Sequence, residues 1–317
     1  MFAGLFASNP ALWAIVWRNK GCVNHRSTDS IELYRGIFMR LRGVKSSRNV
    51  EVRKRGSTVR RGGRVGLVGV LVVLAFGYFT GIDISPLLNT TAQTQVQQGA
   101  PVSAEDDNAT QFAAKVLTTT EQVWGELFPQ QVGRPYRPPQ LVVFSNVTQS
   151  ACGGASGATG PFYCPADQKA YLDTQFFVQL DRQLGAGGDF AAAYVIAHEV
   201  AHHVQNQLGV LGQVDQLRRQ VSETQANALT VRLELMADCL SGIWARNVSG
   251  LMERGDLGEA LNAARMIGDD RLQRQAGQVP RPHTFTHGTS EQRSSWFERG
   301  YDSGMIQDCD TFSADRL

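Results

Sequence analysis

The stretch Ala197-His198-Glu199-Val200-Ala201-His202-His203-Val204-Gln205 sets the reading of the whole chain. Its core, His198 to His202, spells H-E-x-x-H. On a helix, residues four apart stand one turn above each other on one face, so the two imidazoles point the same way. Two imidazole nitrogens so placed can meet one tetrahedral Zn²⁺. Glu199 is placed to take a proton from water activated by that metal. The chain holds six histidines, and His198, His202 and His203 all fall in this segment. Unrelated helix histidines beside a solvated glutamate would not concentrate in this way. His203, turned about 100° from His202, is expected to support the site or the structure without being a ligand.

Punctuation on either side frames this segment as a helix. Gly185–Gly188 breaks the chain, Asp189 is expected as the cap, and the helix should run from Phe190 to about Leu208 with Gly209 past its end. Ser222 with Gln225 makes a capping-box pattern that opens a second long helix, reaching about Asn247. That helix carries Glu234-Leu235-Met236-Ala237-Asp238, so Glu234 and Asp238 again share a face. They are flanked by Val231, Leu233, Leu235 and Met236. Acids on so apolar a face are costly to bury alone, so a cation partner is expected; an ion pair with Arg232 or Arg246 is the plainer alternative. The E-x-x-x-D spacing resembles that of thermolysin-like zinc peptidases. There the Glu is the third metal ligand, and the Asp accepts the other ring N–H of the first histidine and so fixes its tautomer.

Four segments carry a more specific likeness: Tyr194–His203, Arg232–Cys239, Ser156–Pro165 and Phe285–Ser290. Together they resemble the bacterial family of putative neutral zinc metallopeptidases, a likeness that covers roughly residues 39–317. The resemblance implies Zn²⁺ bound by His198, His202 and Glu234, Glu199 as general base, and Asp238 orienting His198. It also implies a peptide or protein substrate. His287, in the Phe285–Ser290 segment, is the candidate donor to the oxyanion, with a structural hydrogen bond as its alternative. Tyr171 is a weaker candidate, with core packing as the alternative. Two other classes stay open: a non-proteolytic zinc hydrolase (deacylase or amidase) of the cell envelope, and a zinc-stabilised membrane scaffold. An intact Glu199 argues against the scaffold, since structural zinc has no use for a base. Peptide deformylase, which shares H-E-x-x-H, takes a cysteine as its third ligand.

The formal charge of +2 hides a segregation. Residues 39–64 hold ten basic residues against Glu51 alone, while residues 65–317 hold 17 basic and 26 acidic residues. An acidic body argues against a nucleic-acid partner. Residues 1–38 form a doubtful extension, and Met39, opening Met-Arg-Leu-Arg-Gly, is expected as the natural start; a membrane-associated arm is the competing view. Residues 39–64 read as a basic cytoplasmic arm. Val65–Ile82 is uncharged over eighteen residues and about 27 Å long as a helix, which is just enough to span a bilayer. The charge asymmetry would place it as a single-pass helix of the inner (cytoplasmic) membrane, with the body outside. Residues 83–110 read as a flexible linker, and residues 111–317 as the metallopeptidase domain. The expected fold is therefore α+β: a mainly helical zincin-like domain with a small sheet, preceded by one transmembrane helix.

Five cysteines are present, none in a C-x-x-C pair. Four of them follow residue 150, an even number suited to two disulfides in an oxidising compartment. Cys152 and Cys164 bracket a Gly-rich loop and are natural partners, which leaves Cys239 with Cys309; buried free thiols are the alternative.

Overall fold

The computed structural model describes residues 39–53 and 104–317, apart from residues 157–159 and 183–184. Its strands are β1 (Val50–Arg53), β2 (Gln140–Phe144), β3 (Val147–Ser150), β4 (Gly153–Ser156), β5 (Phe162–Cys164) and β6 (Lys169–Asp173). Its α-helices are α1 (Ala104–Val132), α2 (Phe176–Arg182), α3 (Asp189–Leu208), α4 (Val210–Arg218), α5 (Glu223–Asn247), α6 (Asp256–Met266), α7 (Asp269–Gln275) and α8 (Ser290–Ser303). Four strands form one sheet in the order β1-β2-β6-β5. β1, β2 and β6 run parallel, with Val50 opposite Leu141 and Leu141 opposite Ala170, and β5 is antiparallel to β6. β3 and β4 make a separate hairpin.

α3 lies at the centre. Fifteen of its twenty residues are buried, so it has no solvated face and must be covered from several sides. α5, α6 and α1 supply that cover. The run Phe190-Ala-Ala-Ala-Tyr194 explains how: three small side chains let neighbouring helices approach, while Phe190 stacks on Trp244 of α5 at 5.5 Å. Gly209, with φ of 84°, ends α3 in the left-handed conformation. Its start differs from expectation. Gly188, with φ of 122°, is the cap, and Asp189 is the first helical residue.

α8 lies along α5 at backbone contact distance. A Cβ added at Gly300 would come within 1.8 Å of the Cys239 carbonyl oxygen, and one at Gly242 within 2.0 Å of that of Phe297. Only glycine permits so close an approach. Both ends of α8 are capped: Thr289 Oγ1 accepts from the Gln292 amide at 3.1 Å, and Gly304 closes the helix with φ of 67°.

Several expectations are corrected here. No helix among the described residues is long and apolar enough to cross a membrane. The fold is mainly helical with a small sheet, but the transmembrane helix expected at residues 65–82 is not supported, and that stretch lies outside the described residues. The inner-membrane placement fails with it. The supposed cytoplasmic arm shows why. Met39 and Leu41 are buried in the core, and Val50–Arg53 is a sheet strand paired with β2. A single crossing between β1 and β2 would put two paired strands on opposite sides of a bilayer. The first helix of the body begins at Ala104, inside the supposed linker, and runs three residues past Pro129. Met39 as natural start, and the extension before it, lie at or outside the limit of the described residues.

Candidate metal centre

α3 and α5 cross so that H-E-x-x-H faces E-x-x-x-D. His198 Nε2 lies 3.1 Å from Glu234 Oε2, and His202 Nε2 lies 3.5 Å from Glu234 Oε1. One ligand atom from each of the three residues falls within 4.8 Å of the others. Ligand atoms about 2.1 Å from a tetrahedral ion stand about 3.4 Å apart, so the observed spacings fit a zinc ion. The donor set, two imidazoles and one carboxylate, is also that of a catalytic zinc site that keeps a fourth position open.

The surrounding side chains decide which nitrogens face the centre. His198 Nδ1 lies 2.9 Å from Asp238 Oδ1, a close ionic contact bent off the ring N–H direction. This leaves Nε2 for the centre. His202 Nδ1 donates to Gln205 Oε1 at 2.8 Å, and Gln205 Nε2 in turn donates to the Leu233 carbonyl at 2.7 Å. Each histidine is therefore steered by a polar group behind it, and Gln205 links the ring on α3 to the backbone of α5.

Asp238 is fully buried and is held by more than the histidine. Arg293, on α8 and 2 % exposed, donates to it through both Nε (2.8 Å) and Nη2 (2.9 Å), and Tyr194 Oη donates to its Oδ1 at 2.6 Å. Neither Arg232 nor Arg246 pairs with the two acids: Arg232 donates to the Thr311 and Ala314 carbonyls, and Arg246 to those of Tyr301 and Asp302.

The electrostatics follow from burying opposite charges together. Burial alone would strip the proton from His198, yet the Asp238 charge and bond, with Glu234 behind them, hold its pKa up to about 10. Burial would push the Glu234 carboxyl up, but His202 and His198 draw it well below the usual range. The two acids thus demand positive charge between them, whether protons or a metal ion. Glu199 differs: burial dominates and raises its pKa.

Glu199, the two histidines and Glu234 line a cleft of about 440 Å³, whose apolar wall includes Phe162, Tyr163 and Leu233. His287 also lines it. Its ring is half exposed, and Asp269 on α7 holds it. The Asp269 carboxylate accepts the main-chain N–H of Thr286, His287 and Gly288, and Oδ1 lies 3.3 Å from His287 Nδ1.

Tyr171 is not at the cleft: its hydroxyl donates to Asp167 Oδ2 at 2.7 Å, and its ring stacks on Phe162. His203 points away and clamps the structure. Its Nε2 donates to the Arg137 carbonyl at 2.7 Å, so Nδ1 accepts from the Tyr163 hydroxyl at 2.9 Å. Arg293, Tyr194 and Gln205 were not foreseen. The one available hint was Arg293 on the buried side of the Thr289-capped helix, where a lone cation needs an acid.

The chain is 44% identical over 285 residues to the uncharacterized protein YpfJ of Escherichia coli K12, covering 86% of this chain and 99% of that one. It is 43% identical over 209 residues to the uncharacterized protein Mb2605 of Mycobacterium bovis, covering 62% of this chain and 68% of that one. No solved structure matches it. The profile described as putative neutral zinc metallopeptidase matches residues 39–312, which contain every side chain of the cluster, and the chain belongs to that family.

Proposed function

We propose that this protein is a zinc-dependent endopeptidase, with His198 Nε2, His202 Nε2 and Glu234 holding the metal. The convergence of these three side chains beside Glu199 in an open cleft carries the reading. A zinc ion there supplies Lewis-acid activation of water and of the scissile carbonyl. The remaining work belongs to the chain. The Glu199 carboxylate accepts the proton of the attacking water and passes it to the leaving amine. Burial raises its pKa, which suits a base that must also give its proton up near neutrality. Asp238, fixed by Arg293 and Tyr194, keeps His198 Nε2 directed at the centre. His287, which lines the same cleft, donates to the developing oxyanion. The apolar wall excludes water and receives substrate side chains.

The test is hydrolysis of unfolded casein by the purified protein. Activity should disappear with a chelator and return with Zn²⁺. Glu199→Gln should abolish hydrolysis while about one equivalent of zinc stays bound, because Glu199 is not a ligand. Loss of zinc from that variant, or chelator-resistant hydrolysis, would overturn the assignment.

A further inference from the structure

Away from the metal centre, three carboxylates gather at the start of α3. Asp189, Asp256 and Glu259 each offer an oxygen, and these lie within 4.8 Å of one another. Asp256 is fully buried. Its Oδ2 accepts from the Glu253 amide at 2.8 Å, whereas its Oδ1 is buried without a partner, as is Asp189 Oδ1. Glu259 Oε2 accepts from the Phe190 amide, in the first turn of α3, at 3.2 Å. Among the described residues no basic side chain pairs with any of the three; Arg40, the nearest candidate, reaches Glu253 instead. Three acids so placed favour a proton or a positive charge among them.

The group that does reach the cluster, at Asp189, is the main chain at Met39. This residue is 3 % exposed, and its nitrogen donates to Asp189 Oδ2. The chain beyond it is fixed, with the Arg40 amide donating to the Leu251 carbonyl at 2.8 Å. As a peptide nitrogen, Met39 brings one N–H and no charge. As a chain terminus it brings an ammonium, with one positive charge and three donors for three carboxylates. Residue 39 is also a methionine, able to begin a chain, and the family profile takes up at that residue.

We propose that the working chain begins at Met39, and that its α-ammonium is bound by Asp189, Asp256 and Glu259 at the head of the helix that carries the metal centre. The site is then an internal ion pair that only a correctly started chain can form. It fixes the start of α3 nine residues before His198, and it stands whether or not the centre hydrolyses peptides.

The test begins with the whole 317-codon gene expressed in a bacterial host. Intact mass and amino-terminal sequencing should find Met39 first, and a stop codon in place of that for Lys20 should leave the product unchanged. A product that begins at Met1, or one lost with the stop codon, overturns the proposal. The Met39 product is then compared with the same chain carrying one extra glycine in front, which turns the ammonium into an amide. The extension should lower Tm by about 5 °C, the size expected of one buried charge-assisted hydrogen bond in a domain of this length. The α-amine of the Met39 product should resist an amine-acylating reagent that labels the extended chain readily. In an Asp189→Asn background the extension should cost nothing further. Equal Tm values with equally fast labelling, or a Tm raised alike in both chains by Ca²⁺, would mean that no ammonium fills the pocket.

Discussion

Arg293 and Asp238 face each other through a two-pronged contact, Nε to Oδ2 at 2.8 Å and Nη2 to Oδ1 at 2.9 Å, with both side chains removed from water. The pair ties α8 to α5 directly behind His198. Breaking a buried pair by removing one partner costs about 3–5 kcal/mol, because the other charge is left alone. Arg293→Ala is therefore expected to be severely destabilised in thermal melts. Arg293→Lys keeps a charge but loses the planar fork. It should fold, yet bind zinc roughly 10–100-fold more weakly, because Asp238 no longer sits squarely on His198. Metal titration against a competing chelator measures this; unchanged affinity would mean that Asp238 does not need the arginine.

The Asp269–His287 pair should give stability a pH dependence of known sign. Burial opposes a charge on His287, but its ring is half exposed, and the bond to Asp269 with the Glu234 charge raises its pKa. A raised histidine contributes fully below its ordinary value of about 6.5, and the contribution fades as pH rises through the raised one. Burial would raise Asp269, but the His287 bond and charge lower it. Its contribution fades as pH falls below about 3.9. The Tm gap between the parent protein and His287→Ala, both treated with chelator, should thus be widest between about pH 4 and 6.5. It should narrow on the alkaline side. A gap independent of pH would show that the two groups are not coupled.

The disulfides form as Cys152–Cys164 and Cys239–Cys309. The second closes a loop of 70 residues, for which the chain-entropy estimate is about 4 kcal/mol. Cys239 directly follows Asp238, and beside Cys309 the Thr311 hydroxyl donates to the Arg232 carbonyl at 2.6 Å. Cys309→Ser should lower Tm and zinc retention together. Cys152→Ser, at an exposed hairpin, should lower Tm less and leave zinc retention unchanged. Equal effects of the two variants on zinc would break the link to α5.

Gly300→Ala tests the close approach of α8 and α5. The new methyl would fall 1.8 Å from the Cys239 carbonyl oxygen, which is backbone and cannot swing aside. Overpacking on this scale costs about 3 kcal/mol, equivalent to a fall in Tm of about 10 °C. Alanine at Gly125, where a Cβ would meet nothing within 4 Å, is the control and should be neutral or slightly stabilising.

The parts of this protein written in short-range code could be read from the sequence. Residues four apart placed His198 with His202 and Glu234 with Asp238, and Ser222 marked a helix start where the structure has it. The separation of Cys152 from Cys164, and the remainder left by that pairing, gave both disulfides. What escaped was written at long range. Arg293 meets Asp238 across 55 positions of sequence, and no local pattern announces such a partner. Val50-Glu51-Val52-Arg53 is too short and too charged to declare itself a strand; it becomes one because β2 offers an open edge and Lys169 on β6 reaches Glu51 at 3.0 Å. The basic residues around it outweighed that signal and suggested a solvated arm. α4 and α7 were missed for the opposite reason: each spans nine residues or fewer, so its apolar period never repeats enough to register.

The parallel pairing of β1 with β2 also governs how the chain emerges from a ribosome. β1 ends at Arg53 and β2 begins at Gln140, so roughly 90 further residues must be made before the partner exists. At synthesis rates of about 5 to 20 residues per second that is about 4 to 18 s. A stretch with two free edges waits through that interval, and the sheet can close only after β6 has followed. Assembly of the metal-centre helix on that sheet is then necessarily late, so a nascent chain stalled before Asp173 holds no part of the centre.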